Sequence, residues 1–194
     1  VLQREIADRL LARLDLIKLA PMRILDAGCG TGYCTRALSR RYPRAQVLGL
    51  DIATAMTAQA HTVHGPRSVL GRWRRRDRYV CGDAESLPLA SASVDMVFSN
   101  LAMQWCDPQV VFAEFLRVLR PGGLLMFTSF GPDTLRELRS AWATVDDTPH
   151  VHGFIDMHDL GDALMRTPYA EPVMDMEHII LTYADVRSVM ADLK

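Results

Sequence analysis

The stretch LDAGCGTGYC, Leu25 to Cys34, constrains this chain more than any other, because glycine recurs at positions 28, 30 and 32. It follows the apolar run Met22 to Leu25 and precedes a helical pattern that runs through Arg41 and stops before Pro43. An apolar run, a bare loop and a helix make a βα unit, and a glycine there admits backbone angles that side chains resist. The unit recurs. Ala45 to Leu50, Arg78 to Cys81, Val94 to Ser99 and Leu124 to Ser129 are further short apolar runs. Helical patterns at Ala53 to Val63 and Val110 to Leu119 alternate with them, the second closed by a turn at Pro121-Gly122-Gly123. Such alternation predicts an α/β fold, Rossmann-like, with a mostly parallel central sheet and helices on both faces.

Ahead of this core, Leu2, Ile6, Leu10, Leu14 and Ile17 predict an amphipathic helix from Leu2 to Leu19, stopped by Pro21. Behind it, Asp133 to Trp142 reads as a helix with Pro132 at its first turn, and Thr144 to Gly153 as a loop. Met157 to Met165 predicts a helix, Val173 to Tyr183 a sixth strand or strand pair, and Ala184 to Leu193 a last helix. The piece 131–156 exceeds an ordinary connection and is expected to be an inserted cap. One domain is expected over 1–194, cut at both ends, since Val1 opens within a helical pattern and Lys194 closes within another.

A length of 194 residues, 49% of them hydrophobic and 23% charged, suits one globular α/β domain. A net charge of −1 disfavours a dedicated nucleic-acid binder. No apolar run approaches the roughly 20 residues that span a bilayer. Cys29, Cys34, Cys81 and Cys106 form no CxxC pair, and a reducing cytoplasm is the simplest setting for them. His150, His152 and His158 lie close in sequence, but no cysteine or carboxylate motif accompanies them, so no metal is expected.

In an open α/β sheet, ligands settle beyond the carboxyl ends of the strands, where strand order reverses. Gly28, Gly30 and Gly32 fall there. A dinucleotide fingerprint would place glycine or alanine where Tyr33 stands, so a nicotinamide dinucleotide is disfavoured. Asp51 closes the second strand, where a carboxylate accepts both hydroxyls of an adenosine ribose or, alternatively, caps the following helix. Asp83 follows the third strand, within reach of an adenine amino group. Nothing resembles a P-loop lysine. The expected ligand is an adenosine with little or no phosphate.

LDAGCGTG, the acid in GLDIA, GDAESLPL and VFSNLAMQW, in that order from about Ile24 to Ser129, resemble the signature of class I S-adenosylmethionine-dependent methyltransferases. The resemblance implies Asp26, Gly28, Gly30 and Gly32 around the methionine moiety and Asp51 at the ribose. It also implies Asp83 with the Ala84 main chain at the adenine, and Asn100 with Leu101 under the sulfonium. Ile52 and Met56 join this set. Tyr33 either closes over the cofactor or packs against the first helix.

A narrower resemblance lies in SNLAMQWCDP, FGPDTLREL, HVHGFIDMHDLGDAL, EPVMDMEHIILTY and DVRSVMADLK. These segments are similar to the malonyl-acyl-carrier-protein O-methyltransferases of biotin synthesis. That family's reaction esterifies the free carboxylate of a malonyl thioester and leaves S-adenosyl-L-homocysteine; carrier protein and CoA remain alternatives as the thioester's handle. A cation and an anion meet there and become neutral, so a dry pocket favours the step. A carboxylate is ionised at neutral pH, and no general base is expected. Candidate acceptor-side residues are Gln104, Trp105 and Phe130, with an orienting cation among Arg136, Arg139 and Arg187. The run RWRRRDR, with Arg72, Arg74, Arg75, Arg76 and Arg78, is either a solvated face or a patch that steers an acidic carrier protein. Two other readings stay open: a cofactor-binding protein-modifying or assembly factor, and a methyltransferase for another small acid or a quinone.

Overall fold

The computed structural model describes residues 2–63 and 77–192, so Arg72, Arg74, Arg75 and Arg76 lie outside the described residues. Five strands form one parallel sheet: β1 (Arg23–Ala27), β2 (Gln46–Asp51), β3 (Asp77–Cys81), β4 (Val94–Asn100) and β5 (Leu119–Thr128), in the order β3-β2-β1-β4-β5. The order reverses between β1 and β4, which opens a crevice beyond their carboxyl ends.

The β1 sequence shows why helices cover both faces. Its side chains alternate across the sheet, and both sides are buried. Ile24, with Met96 and Phe98 of β4, packs under α1 (Leu2–Arg13) and α2 (Tyr33–Arg41), against Ala7, Leu10, Cys34 and Leu38. Leu25 and Ala27, with Val97, face α4 (Pro108–Val118) and α6 (Met157–Arg166) through Phe112, Phe115, Leu160 and Leu164. Phe112 and Phe115 are fully enclosed, and each such burial stabilises by roughly 1.5–3 kcal/mol. Two further helices complete the set: α3 (Thr54–Val63), beside β2 and β3, and α5 (Arg136–Trp142), which follows β5. Asp107 starts α4 by accepting the Gln109 and Val110 amides, with Pro108 at the first turn, where its missing N–H costs nothing.

Several boundaries differ from the sequence expectation. The first helix ends at Arg13 and tightens into a 3₁₀ turn over Leu14–Leu16, short of Leu19. β5 begins at Leu119, because Val94 pairs with Leu119 and Met96 with Leu124; Pro121, Gly122 and Gly123 form a bulge inside the strand, with Gly122 at φ 78°. Leu135 is left-handed at φ 56°, so the next helix starts at Arg136, and Pro132 sits in the preceding turn. No strand forms over 173–183. A strand needs a neighbour for its backbone groups, whereas here Asp175 and Glu177 are drawn outward to Arg13 and Arg9 of α1, at 2.6 to 3.0 Å. The last helix, α7, spans Val186–Asp192. The piece 131–156 contains the turn before α5, α5 itself and an irregular return that ends where Asp156 caps α6. No helix among the described residues is long and apolar enough to cross a membrane.

Candidate active site

The glycine loop is pinned from below and open above. The Gly28 and Cys29 amides both donate to the Leu50 carbonyl, at 2.8 and 2.9 Å, which ties the loop to the end of β2. Gly28 has φ 74°, and a Cβ there would stand 2.2 Å from the Ala102 Cβ, so bare backbone abuts the exit of β4. Gly32, at φ 80°, is pressed against the Tyr79 ring. Gly30, at φ 52°, differs from both: nothing lies within 4 Å of where its Cβ would be. Its amide donates to Asp51 Oδ2 at 2.8 Å, while Asp51 Oδ1 accepts the Ala53 amide at 2.9 Å. Asp51 thus spans the loop and the turn before α3; the amide held by its Oδ1 belongs to Ala53, ahead of the helix that begins at Thr54, so the contact is an Asx-type turn and not the helix cap that the sequence offered as the alternative.

Asp26 lies beneath the loop. It is 1% exposed, and the Thr35 hydroxyl donates to its Oδ2 at 2.6 Å. Burial pushes its carboxyl up to about 7, with the Thr35 hydrogen bonds opposing that rise. The pair fastens β1 to α2. Burial also raises the Cys29 and Cys34 thiols, which makes them poor nucleophiles.

Around Asp51 the surface is apolar. Ile52 is 71% exposed and Met56 43%, two large side chains without a protein cover at the lip of the crevice. Asp83, at the exit of β3, accepts the Glu85 amide at 2.9 Å and stays exposed, with Ala84 packed partly against the core.

The exit of β4 is held from three sides. Ser99 donates to the Ala27 carbonyl of β1. Asn100 Oδ1 accepts the Thr128 hydroxyl at 3.0 Å, and its Nδ2 donates to the Gln3 carbonyl of α1 at 3.3 Å. Leu101 is left-handed at φ 54°; its amide donates to Thr128, and its carbonyl accepts Gln104 Nε2 at 2.7 Å. The conformation is strained for leucine, and these bonds hold it. Trp105 follows, 66% exposed, with its ring edge-on to His152 at 5.2 Å. Phe130, just past β5, packs on Phe154 at 5.3 Å.

The structure therefore brings Gly28, Gly30, Gly32, Asp51, Ile52, Met56, Asp83, Asn100, Leu101, Gln104, Trp105 and Phe130 to the strand exits. Others stand apart. Tyr33 turns toward α1, donating to Asp8 at 2.7 Å beneath the Arg4 guanidinium. Arg139 donates to the Pro132 and Thr134 carbonyls at 3.0 and 3.1 Å and ties the turn after β5. Arg136 is exposed beside Asp133 and Glu137, and Arg187 is exposed on α7. Arg78 is exposed on β3. Among the described residues no group of His, Cys, Asp and Glu is placed to hold a metal ion. His150 stacks on Trp142 and bonds Asp146, and His158 bonds Asp156.

Sequence reasoning did not find Thr35, Thr128, Gln3, His152 or Phe154. Thr35 had a signal, since a carboxylate on a strand with two buried faces requires a nearby donor. The others come from distant elements and leave no local pattern.

A bare loop touching the β4 exit, with an acid at the end of β2, on a parallel sheet of this order, defines a Rossmann-like cofactor-binding domain. Residues 25–127 match the methyltransferase domain family, and the chain belongs to it. The chain is 56% identical to a malonyl-[acyl-carrier protein] O-methyltransferase of Laribacter hongkongensis, over all of this chain and 66% of that one. It is 52% identical to the protein of the same name from Gallionella capsiferriformans, over all of this chain and 67% of that one. The chain thus spans about two thirds of the length of these curated relatives. A solved S-adenosylmethionine-dependent methyltransferase from Mesorhizobium loti superposes with a TM-score of 0.65 at 23% identity, over 97% of this chain and 90% of that one, which establishes the shared fold.

Proposed function

We propose that this chain is the cofactor-binding domain of a carboxyl O-methyltransferase that esterifies the free carboxylate of malonyl-acyl-carrier protein, or of malonyl-CoA, with S-adenosyl-L-methionine. The observation that carries this reading is the 56% identity maintained over the whole chain with a protein of that name.

The residues at the strand exits suit that cofactor. The open side of Gly30 leaves room for a ligand against the main chain. Asp51 accepts the ribose hydroxyls, and Ile52 and Met56 cover the adenine, whose amino group Asp83 receives beside the Ala84 main chain. Asn100 and Leu101 form the floor under the methionine end. When bound, the cofactor supplies a methyl group on a positively charged sulfur. The chain's own work is alignment and exclusion of water. A malonyl carboxylate is ionised at neutral pH, so no residue is assigned as a base. Trp105 and Phe130, with Phe154 behind, wall the acceptor side with apolar surface, where charges that cancel during reaction are favoured over separated ones.

Purified full-length protein is expected to add one methyl group to malonyl carrier protein in mass spectrometry and none to acetyl carrier protein, which has no free carboxylate. Malonyl-CoA under the same conditions decides which handle is preferred. If malonyl substrates stay unchanged while another protein gains the mass, the reading is wrong.

A further inference from the structure

The geometry points to His152 as the residue that binds the acceptor carboxylate and selects a malonyl over an uncharged acyl group, an inference that rests on the proposed reaction. Alignment of an anionic acceptor calls for a donor that can carry charge at the exits of β4 and β5, where the Asn100 and Gln104 amides already donate to the Gln3 and Leu101 carbonyls and the Trp105 indole N–H is neutral. The three arginines in the sequence that suit a carboxylate clamp are placed otherwise. Arg139 has its guanidinium on two backbone carbonyls, Arg136 stands beside two acids, and Arg187 lies on an exposed terminal helix.

His152 reaches the place they do not. Gly28 touches Ala102, Ala102 accepts the Trp105 amide at 3.1 Å, and the Trp105 ring meets His152 at 5.2 Å. Two residues on, Phe154 rests on Phe130. The segment 152–154 therefore crosses from the exit of β4 to the exit of β5 and carries an imidazole to the β4 side. His150 and His158 have carboxylate partners at 2.9 and 2.6 Å, whereas among the described residues the ring nitrogens of His152 have no hydrogen-bond partner. An imidazole offers at least one N–H whether neutral or charged, and a bond from it to a carboxylate is charge-assisted. Trp105 braces the ring by its edge contact, so the donor is oriented by an apolar neighbour that does not compete for the proton.

The test uses full-length protein and two measurements. Calorimetry with S-adenosyl-L-homocysteine present compares malonyl-CoA with acetyl-CoA; wild type should prefer malonyl, and H152A should lose on the order of ten- to hundredfold in malonyl affinity with acetyl affinity unchanged. In the methylation assay H152A should raise KM for malonyl carrier protein by a similar factor, with kcat within a few-fold and cofactor affinity unaltered, while H152K restores most of the loss. Unchanged malonyl affinity in H152A overturns the inference, as does a parallel loss of cofactor affinity, which would mark a structural role. A protein that binds malonyl through His152 but transfers no methyl overturns the proposed function and leaves this assignment standing.

Discussion

The Gly30 amide lies 2.8 Å from Asp51 Oδ2, so the bare loop after β1 and the acid at the end of β2 are already coupled. This single bond joins the two features on which the cofactor assignment rests. It also means that Asp51 has a structural task in addition to its proposed one, since its other oxygen holds the Ala53 amide at the entry to α3.

Asp51→Ala should therefore show two effects. Loss of a charged acceptor for ribose should weaken S-adenosyl-L-homocysteine binding by roughly 1.5–3 kcal/mol, read by calorimetry. Release of two backbone amides near the surface should lower unfolding stability by about 1 kcal/mol, read by denaturant titration. A variant with intact cofactor affinity would remove Asp51 from the site.

The glycines of the loop are predicted to separate fold from function. Gly28→Ala meets the Ala102 Cβ at 2.2 Å in a left-handed conformation, and the backbone must move. Its cost should exceed about 2 kcal/mol in unfolding experiments. Gly30→Ala shares the left-handed strain but meets nothing within 4 Å. It should cost about 1 kcal/mol in stability and yet impair cofactor binding, because its methyl occupies the open side of the loop. Equal destabilisation by the two would contradict this geometry.

What the sequence makes legible is what is encoded locally. The central strands β1 and β4 are short apolar runs with both faces buried, and the loop between Ala27 and Tyr33 is bare where Ala102 and Tyr79 press against Gly28 and Gly32. Pairing partners are a different matter. Residues 173–183 have strand-like composition, but their acids pair with Arg9 and Arg13, and among the described residues no neighbouring strand meets their backbone. Tyr33 is similar. Its position after the loop suits a cofactor lid, and only the arrival of Asp8 from α1 turns its hydroxyl the other way. The approach of His152 to Trp105 joins residues 47 positions apart through an irregular segment, and no periodicity announces it.

The run Arg72 to Arg78 has most of its charge outside the described residues, and its proposed steering of an acidic carrier is tested in solution. Screening shortens the reach of exposed charges to about 10 Å at 0.1 M salt and about 3 Å at 1 M. Raising ionic strength should lower kcat/KM for malonyl carrier protein severalfold while leaving malonyl-CoA less affected. Replacing Arg74, Arg75 and Arg76 by alanine should flatten that dependence. A salt response identical in the variant and in wild type would leave this run as a solvated face.

Asp26 should make stability depend on pH in the direction opposite to most carboxylates. Its folded pKa is raised from 3.8 to about 7, chiefly by burial, so between these values the folded chain holds a proton that the unfolded chain has released. Stability from this group is complete below pH 3.8 and declines as pH rises through about 7. The decline is on the order of a few kcal/mol, because each pH interval of one between those two values removes about 1.4 kcal/mol. Asp26→Asn keeps an acceptor for the Thr35 hydroxyl and carries no charge, so the variant should gain on wild type as pH is raised from 5 to 8. Thr35→Val removes the opposing hydrogen bond and should move the decline to higher pH while lowering stability above it. Denaturant unfolding of the three proteins at pH 5, 6.5 and 8 measures this directly. A constant difference between wild type and Asp26→Asn across that range would mean that the carboxyl beneath the loop is ionised throughout.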